Sequence, residues 1–325
     1  MKKVFVYGGA IVFFFLMGCT EDSLEVDLSG VSRSGEVLHF DLAFYQTDSM
    51  RFVDNDLPRL KEEYPLFFMS GGSDFWRARR EDPTQYRLYR DVYKVFNDYS
   101  GMDVKFKSIL DHLYYYYPNH PLHSLQTYIS NLDYAYPVVN GDSVVFIASD
   151  LFLGGTHPAY NHMADYQKFQ RQARFLPSAL SESIVLPMVK RDVNDATFVG
   201  DLMYWGRVYY AMRALNPELD EMLLMRYSEE EMIFCENHEK EMWSYFIEQE
   251  YLFSSAFDLK RRFIETAPFS KFGVPDDYKS PGAIGKWVGF RIVSSYMEEN
   301  PSVTVPQLLA NADAMQIFKD SKYKP

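Results

Sequence analysis

The chain has 325 residues, 45 acidic side chains against 33 basic ones, and a formal net charge of -12. That balance excludes a nucleic-acid binder, because phosphate contacts need clustered positive charge. Aromatic residues make up 17% of the chain, with 25 Tyr and 26 Phe, which supplies apolar area for a sizeable core.

Lys2 and Lys3 precede an apolar run from Val4 to Met17. A charged start followed by an apolar stretch shorter than the ~20 residues of a membrane-spanning helix reads as a secretory signal peptide. Its exit, Leu16-Met17-Gly18-Cys19, resembles a bacterial lipobox. Residues 1–18 are therefore expected to be a lipoprotein signal peptide, cut before Cys19, whose thiol then carries a palmitate-type diacylglyceryl lipid. That covalent lipid is the one attached group expected, with no other cofactor. Residues 19–36, acidic and without an aromatic, read as an acylated tether. Residues 37–325 read as a single domain in the cell envelope, outside the cytoplasm, lipid-anchored to the inner or outer membrane. With Cys19 lipidated, Cys235 has no intrachain partner, so stability must come from packing.

Along the body, Asp48 is placed to cap a helix through Phe52, Leu57, Leu60 and Tyr64. Tyr86, Tyr89, Tyr93 and Phe96 mark a helix over about 84–99, and a third lies near 104–115. The period then changes. Gln126 to Ile129 is strand-like, and Asn140-Gly141 between β-branched runs predicts a hairpin joining 138–139 to 144–147. Helices follow over 163–190, broken by Pro177 and Pro187, and over 198–215. Ser228 and Glu231 form a capping box that opens one long helix through Met232, Cys235, Met242 and Phe246. After Pro281-Gly282, the stripe Ile284, Trp287, Val288, Arg291, Ile292 and Tyr296 predicts a last long helix. The expected fold is mainly α with one small antiparallel β-sheet.

No string carries catalytic chemistry outright. His-Glu-x-x-His is absent, and His238-Glu239-Lys240-Glu241-Met242 has Met at the second ligand position, in a charged run that reads as a solvated face. His157 and His162 sit in loop sequence, and His112, His120 and His123 have no ligand spacing. Ser178 to Ser183 lacks a nucleophile elbow, Gly71-Gly72-Ser73 is no phosphate loop, and Cys235 lies on an apolar helix face. No metal ligand and no catalytic residue is expected.

Several later segments resemble the gliding motility lipoprotein GldB family: Gly206 to Tyr210, Asn216-Pro217, Glu236 to Glu239 before Trp243, Ala267 to Phe272, Ser280 to Gly289, and Ile317 to Pro325. The resemblance implies a part in gliding motility and in the type IX secretion apparatus. It also implies a distant similarity to gluzincin metalloproteases, hence a degenerate zincin-like fold. On that similarity the first ligand motif falls at Ser181 to Val185 and the distal Glu position at Trp205. Both His positions (Ser181, Val185) and the distal Glu are lost, and only Glu182, at the general-base position, is retained. The implied function is that of a pseudoenzyme: a non-catalytic envelope lipoprotein, attached to the membrane through lipid, that acts by contact with other envelope or gliding and secretion proteins. Ser280, Pro281, Gly282, Lys286, Tyr323 and Lys324 form the expected contact surface. The plainer alternative for the first four is a tight helix N-terminus with Ile284 and Trp287 in the core. The alternative function is a metallopeptidase-like hydrolase with atypical ligands.

Overall fold

The computed structural model describes residues 24–47 and 51–325. Cys19 and Asp48, expected as lipid carrier and helix cap, lie outside the described residues.

The packed body begins earlier than the sequence pattern implies. Leu24 is buried, and Asp27 accepts from the Ser29 amide at 2.9 Å to cap a short 3-10 turn, Leu28–Gly30. Strand β1 (Glu36–His39) then enters the sheet. The expected tether of residues 19–36 is thus corrected: from Leu24 onward it is part of the body. Leu24, Val26, Leu28 and Val31 are spread among acidic and small residues, too few to mark an element, yet Leu24 is buried and Val31 packs against the core.

Five helices follow: α1 (Phe40–Tyr45), α2 (Leu57–Glu63), α3 (Ser73–Glu81), α4 (Pro83–Phe96) and α5 (Ser100–Tyr116). Asp82 caps α4 by accepting from the Thr84 amide at 2.7 Å, and Pro83 opens it where no amide is needed. Strands β2 (Ser124–Tyr128), β3 (Val138–Asn140) and β4 (Val144–Ala148) complete a four-stranded sheet of order β1-β2-β4-β3. The Asn140-Gly141 hairpin pairs β3 with β4 as expected. The sheet as a whole is mixed, not antiparallel: Glu36 to His39 pairs in parallel with Ser124 to Thr127, and Ser124 to Tyr128 with Val144 to Ala148. Leu125, Val145 and Ile147 are fully buried, as befits the inner strands of a parallel arrangement. A polar knot joins this sheet to α1 and α5. The buried Asp41 carboxylate accepts from Tyr99 Oη and, at 2.6 Å, from Thr127 Oγ1, while His39 stacks on Tyr99 with centroids 4.2 Å apart. Burial pushes the Asp41 carboxyl up in spite of those bonds.

The second half is helical: α6 (Asp165–Phe169), α7 (Leu176–Val185), α8 (Phe198–Leu215), α9 (Glu221–Met225), α10 (Glu229–Asn237), α11 (Glu239–Glu248), α12 (Phe257–Phe263), α13 (Ile284–Glu299), α14 (Val305–Ala310) and α15 (Ala314–Asp320). Pro177 opens α7 instead of breaking it. The Ser228 capping box is present in both directions, at 3.2 Å and 2.7 Å. The long helix expected after it divides at His238, whose φ of -120° leaves the helical range and separates α10 from α11.

Helix α8 is the axis of this half. Every residue in it except Tyr204, Trp205 and Arg213 is buried, the mark of a helix surrounded by others. It lies against α13 at backbone distance. A Cβ on Gly206 would stand 2.2 Å from the Gly289 carbonyl oxygen, and one on Gly289 would stand 2.1 Å from that of Leu202. Two facing glycines therefore set the spacing, and larger residues would force the helices apart.

Candidate functional site

Four elements converge on one cavity of about 760 Å³. Glu182 comes from α7, Tyr209 from α8, Arg226 from the end of α9 and Lys286 from the first turn of α13. Helices α6 and α10 form the walls, and Tyr278 and Ile233 stand exposed at the mouth.

Local conformation aims these side chains inward. Arg226 ends α9 in the left-handed region at φ 59°, ψ 41°, and its amide closes the helix on the Leu223 carbonyl at 3.3 Å. A non-glycine residue is sterically disfavoured there, and such strain concentrates at sites that the surrounding structure holds in place. Ala283 does the same at φ 57° immediately before α13. Gly282, the residue before it, is pressed so close to Ala267 that a Cβ would stand 1.9 Å from the Ala267 oxygen. Only glycine fits, so the Pro281-Gly282 pair is a packing device that sets the start of α13 and with it Lys286.

The floor is ionic. Arg226 forms a salt bridge with the Glu182 carboxylate, each side chain less than one-fifth exposed. Burial alone would raise the Glu182 carboxyl, but the Arg226 and Lys286 charges outweigh it and hold it below the usual carboxylate range. Burial would lower the Arg226 guanidinium, and Glu182 and Tyr209 more than reverse this. Burial pushes the Tyr209 phenol up to about 12, so it stays protonated.

Lys286 is different. Its ammonium stands 3.7 Å from the centre of the Trp205 ring, a cation–π contact. Among the described residues it donates no hydrogen bond and forms no ion pair. Burial lowers the amine to about 8, with Glu182 opposing the shift. At neutral pH it remains mostly charged; Lys286 lines both this cavity and a smaller one beside Trp205, and the indole face can accept no hydrogen bond in the ordinary sense.

The structure sorts the expected residues. Glu182 reaches the cavity, and Trp205 lies under Lys286 at its edge. Ser181 does not reach it: the residue is fully buried and its Oγ accepts from Asn216 Nδ2 within 2.5 Å. Val185 is buried in the core. Among the described residues, no three His, Cys, Asp or Glu side chains are placed to share a metal ion. His157 instead lies 3.3 Å from Asp91 and caps a short turn, and His162 packs its ring on Tyr134.

The expected contact surface is corrected in part. Ser280 and Pro281 are buried. Ser280 Oγ donates to the Asp277 carbonyl at 2.7 Å and accepts from the Ser270 amide at 3.1 Å. Ser270 Oγ in turn donates to the Pro281 carbonyl at 2.7 Å. The 267–272 and 280–289 segments are thus partners of each other, with Ile284 and Trp287 in the core as the plainer alternative holds. Gly282 and Lys286 are half-buried at the cavity, Tyr323 is half-buried with Oη donating to Glu239 at 2.7 Å, and Lys324 is exposed. Arg226 escaped sequence reading, since a lone Arg after Met225 has no motif to mark it, and Tyr209 entered only within the 206–210 family segment, with no role attached.

A family model described as gliding motility protein GldB matches residues 21–325. No curated protein and no solved structure gives a significant match. Among the described residues, no helix is long and apolar enough to cross a membrane. The match spans all of the described body, its family label marks lipoproteins, and the family name ties it to gliding motility; the chain belongs to the GldB family.

Proposed function

We propose that this protein is an envelope lipoprotein, held by lipid on Cys19, that supports gliding and type IX secretion-type machinery by contact and performs no catalysis. The family match supports the part in gliding motility. The observation that carries the non-catalytic part is the Glu182–Arg226 pair. A general base must accept a proton near the working pH, and a carboxylate held low by two cations is a poor one. A zinc ion needs three or four ligands, and the positions that a zincin-like ancestry would have used are Ser181, Val185 and Trp205, none of which ligates zinc. On this reading the cleft is the remnant of a degenerate zincin-like fold.

The test is complementation of a deletion strain. The double variant Glu182→Gln/Arg226→Gln removes both charges while keeping the side-chain lengths close. We expect it to restore gliding and secretion to near wild-type levels. Loss of both activities by a folded variant, together with stoichiometric zinc in the purified wild-type chain, would favour the hydrolase reading instead.

A further inference from the structure

We propose that the Glu182–Arg226–Lys286 cavity binds a single carboxylate carried on an apolar body, with the Lys286 ammonium as its direct partner. The inference concerns the same cleft as the proposed function and does not depend on the gliding role.

Three observations carry it. Lys286 is half-buried against Trp205 with no acceptor among the described residues, so its donors are unsatisfied by the protein. Unpaired charge in a cavity is disfavoured, and a ligand acceptor would relieve that cost. Second, the floor carries one carboxylate against two cations, and the Arg226 fork is already committed to Glu182. At the floor itself one positive charge, that of Lys286, is left over; the walls and mouth add Asp165, Glu230 and Glu231 against Lys279. The single floor charge matches a monoanion; a phosphate dianion would find there neither a free guanidinium fork nor a second free charge. Third, the walls change character away from Lys286. Phe169 and Phe234 line the cavity, and Tyr278 is two-thirds exposed at its mouth. Of the acidic groups there, Asp165 is paired with Lys168 at 2.7 Å and Glu231 is held back at the helix start by the Ser228 amide, away from the floor. Glu230 is exposed at the mouth, where Lys279 also lines the cavity. A volume of about 760 Å³ suits a ligand of a few tens of heavy atoms, within the ordinary range of small-molecule pockets.

Two sources offer this chemistry: the C-terminus of a peptide ending in an apolar residue, and a free arylalkyl or alkyl carboxylic acid. The full chain, purified with its lipid in detergent, is titrated calorimetrically with N-acetyl-phenylalanine, its neutral amide and 3-phenylpropanoate. The acid is expected to bind saturably and at least about tenfold more tightly than the amide, because the charged hydrogen bond is lost in the amide. Lys286→Met should weaken the acid by about tenfold and abolish the preference over the amide, whereas Lys286→Arg should retain it. Equal affinity for 3-phenylpropanoate assigns the site to free acids; tighter binding of N-acetyl-phenylalanine assigns it to peptide termini. Equal binding of acid and amide, no saturable heat from either acid, or an acid affinity untouched by Lys286→Met in a variant with wild-type circular dichroism overturns the proposal. The acid-against-amide comparison uses the unaltered protein, so it decides even if a variant misfolds. Binding is read directly, so a negative result here and a failure of the gliding assignment are separate outcomes.

Discussion

Lys286 illustrates how a residue can serve a site while opposing the fold. Burial lowers its amine from the ordinary 10.5 to about 8. Below about pH 8 the folded protein therefore bears the cost of holding the amine charged. Between about 8 and 10.5 the unfolded chain keeps a proton that the folded chain has released, so this contribution makes stability rise with pH; above 10.5 both are neutral and the cost is gone. A tenfold loss of proton affinity corresponds to about 1.4 kcal/mol, and the cation–π contact with Trp205 offsets part of the cost. Lys286→Met is accordingly expected to stabilise the protein by about 1–2 kcal/mol at neutral pH, with the gain shrinking toward zero near pH 11. Urea denaturation at the two pH values checks this, and a variant less stable than wild type at neutral pH would refute it. Glu182 behaves in the opposite sense. Its carboxyl is held low, so the pair's contribution is present above the ordinary carboxylate range and is lost as the pH falls through the depressed value. Charged groups that support and oppose the fold side by side are what a site built for ligand charge shows, and a core built for stability alone avoids them.

Helices α8 and α13 form the element that the rest depends on. Their separation is set by Gly206 and Gly289, and both the cavity floor and the ceiling of the core hang from it: Tyr209 and Trp205 belong to one helix, Lys286 and Trp287 to the other. Gly289→Ala puts a methyl 2.1 Å from a backbone carbonyl that cannot turn aside. The helices must separate or the new side chain must unfold the turn around it, so we expect a loss of about 2–4 kcal/mol, at or beyond the usual range for overpacking. Thermal denaturation followed by circular dichroism gives the answer, and a melting temperature within a degree or two of wild type would show that the contact is looser than described. The same spacing couples element to site. Since Lys286 lies one turn before Gly289, a tolerated Gly289→Ala variant should also lose carboxylate binding, because the ammonium moves away from Trp205.

At the scale of the molecule, the early start of the packed body matters more than the overall charge of -12. Only five peptide steps separate Cys19 from the buried Leu24. Fully extended, that stretch spans less than about 18 Å. On the lipoprotein reading, the body stands close against the membrane surface instead of ranging on a long tether, and its partners must meet it there. Cys19→Ala removes the attachment without touching Leu24. We expect it to shift the protein from the membrane to the soluble fraction while leaving its melting temperature unchanged. A variant that stays with membranes through a carbonate wash would show that another part of the chain holds it.

Much of the element content was readable from local pattern. The Ser228–Glu231 capping box, the Asn140-Gly141 hairpin, the stripe from Ile284 to Tyr296 and the buried Cys235 each depend on residues a few positions apart, and short-range geometry does not need the rest of the chain. The family resemblance also singled out Glu182, Trp205 and Lys286, though not the contacts that Glu182 makes with Arg226 and Lys286 with Trp205. Tertiary structure alone decided three things. It put β2 beside β4 in parallel, because strand pairing is a long-range choice that the alternation of side chains does not specify. It buried Ser280 and Pro281 against Ser270, because a hydroxyl's partner ten residues away leaves no periodic trace. It also brought Arg226 to Glu182 and left Lys286 without an acceptor among the described residues. Which charges end up paired depends on where four separate helices end, and that is a property of the packed molecule that no stretch of residues carries by itself.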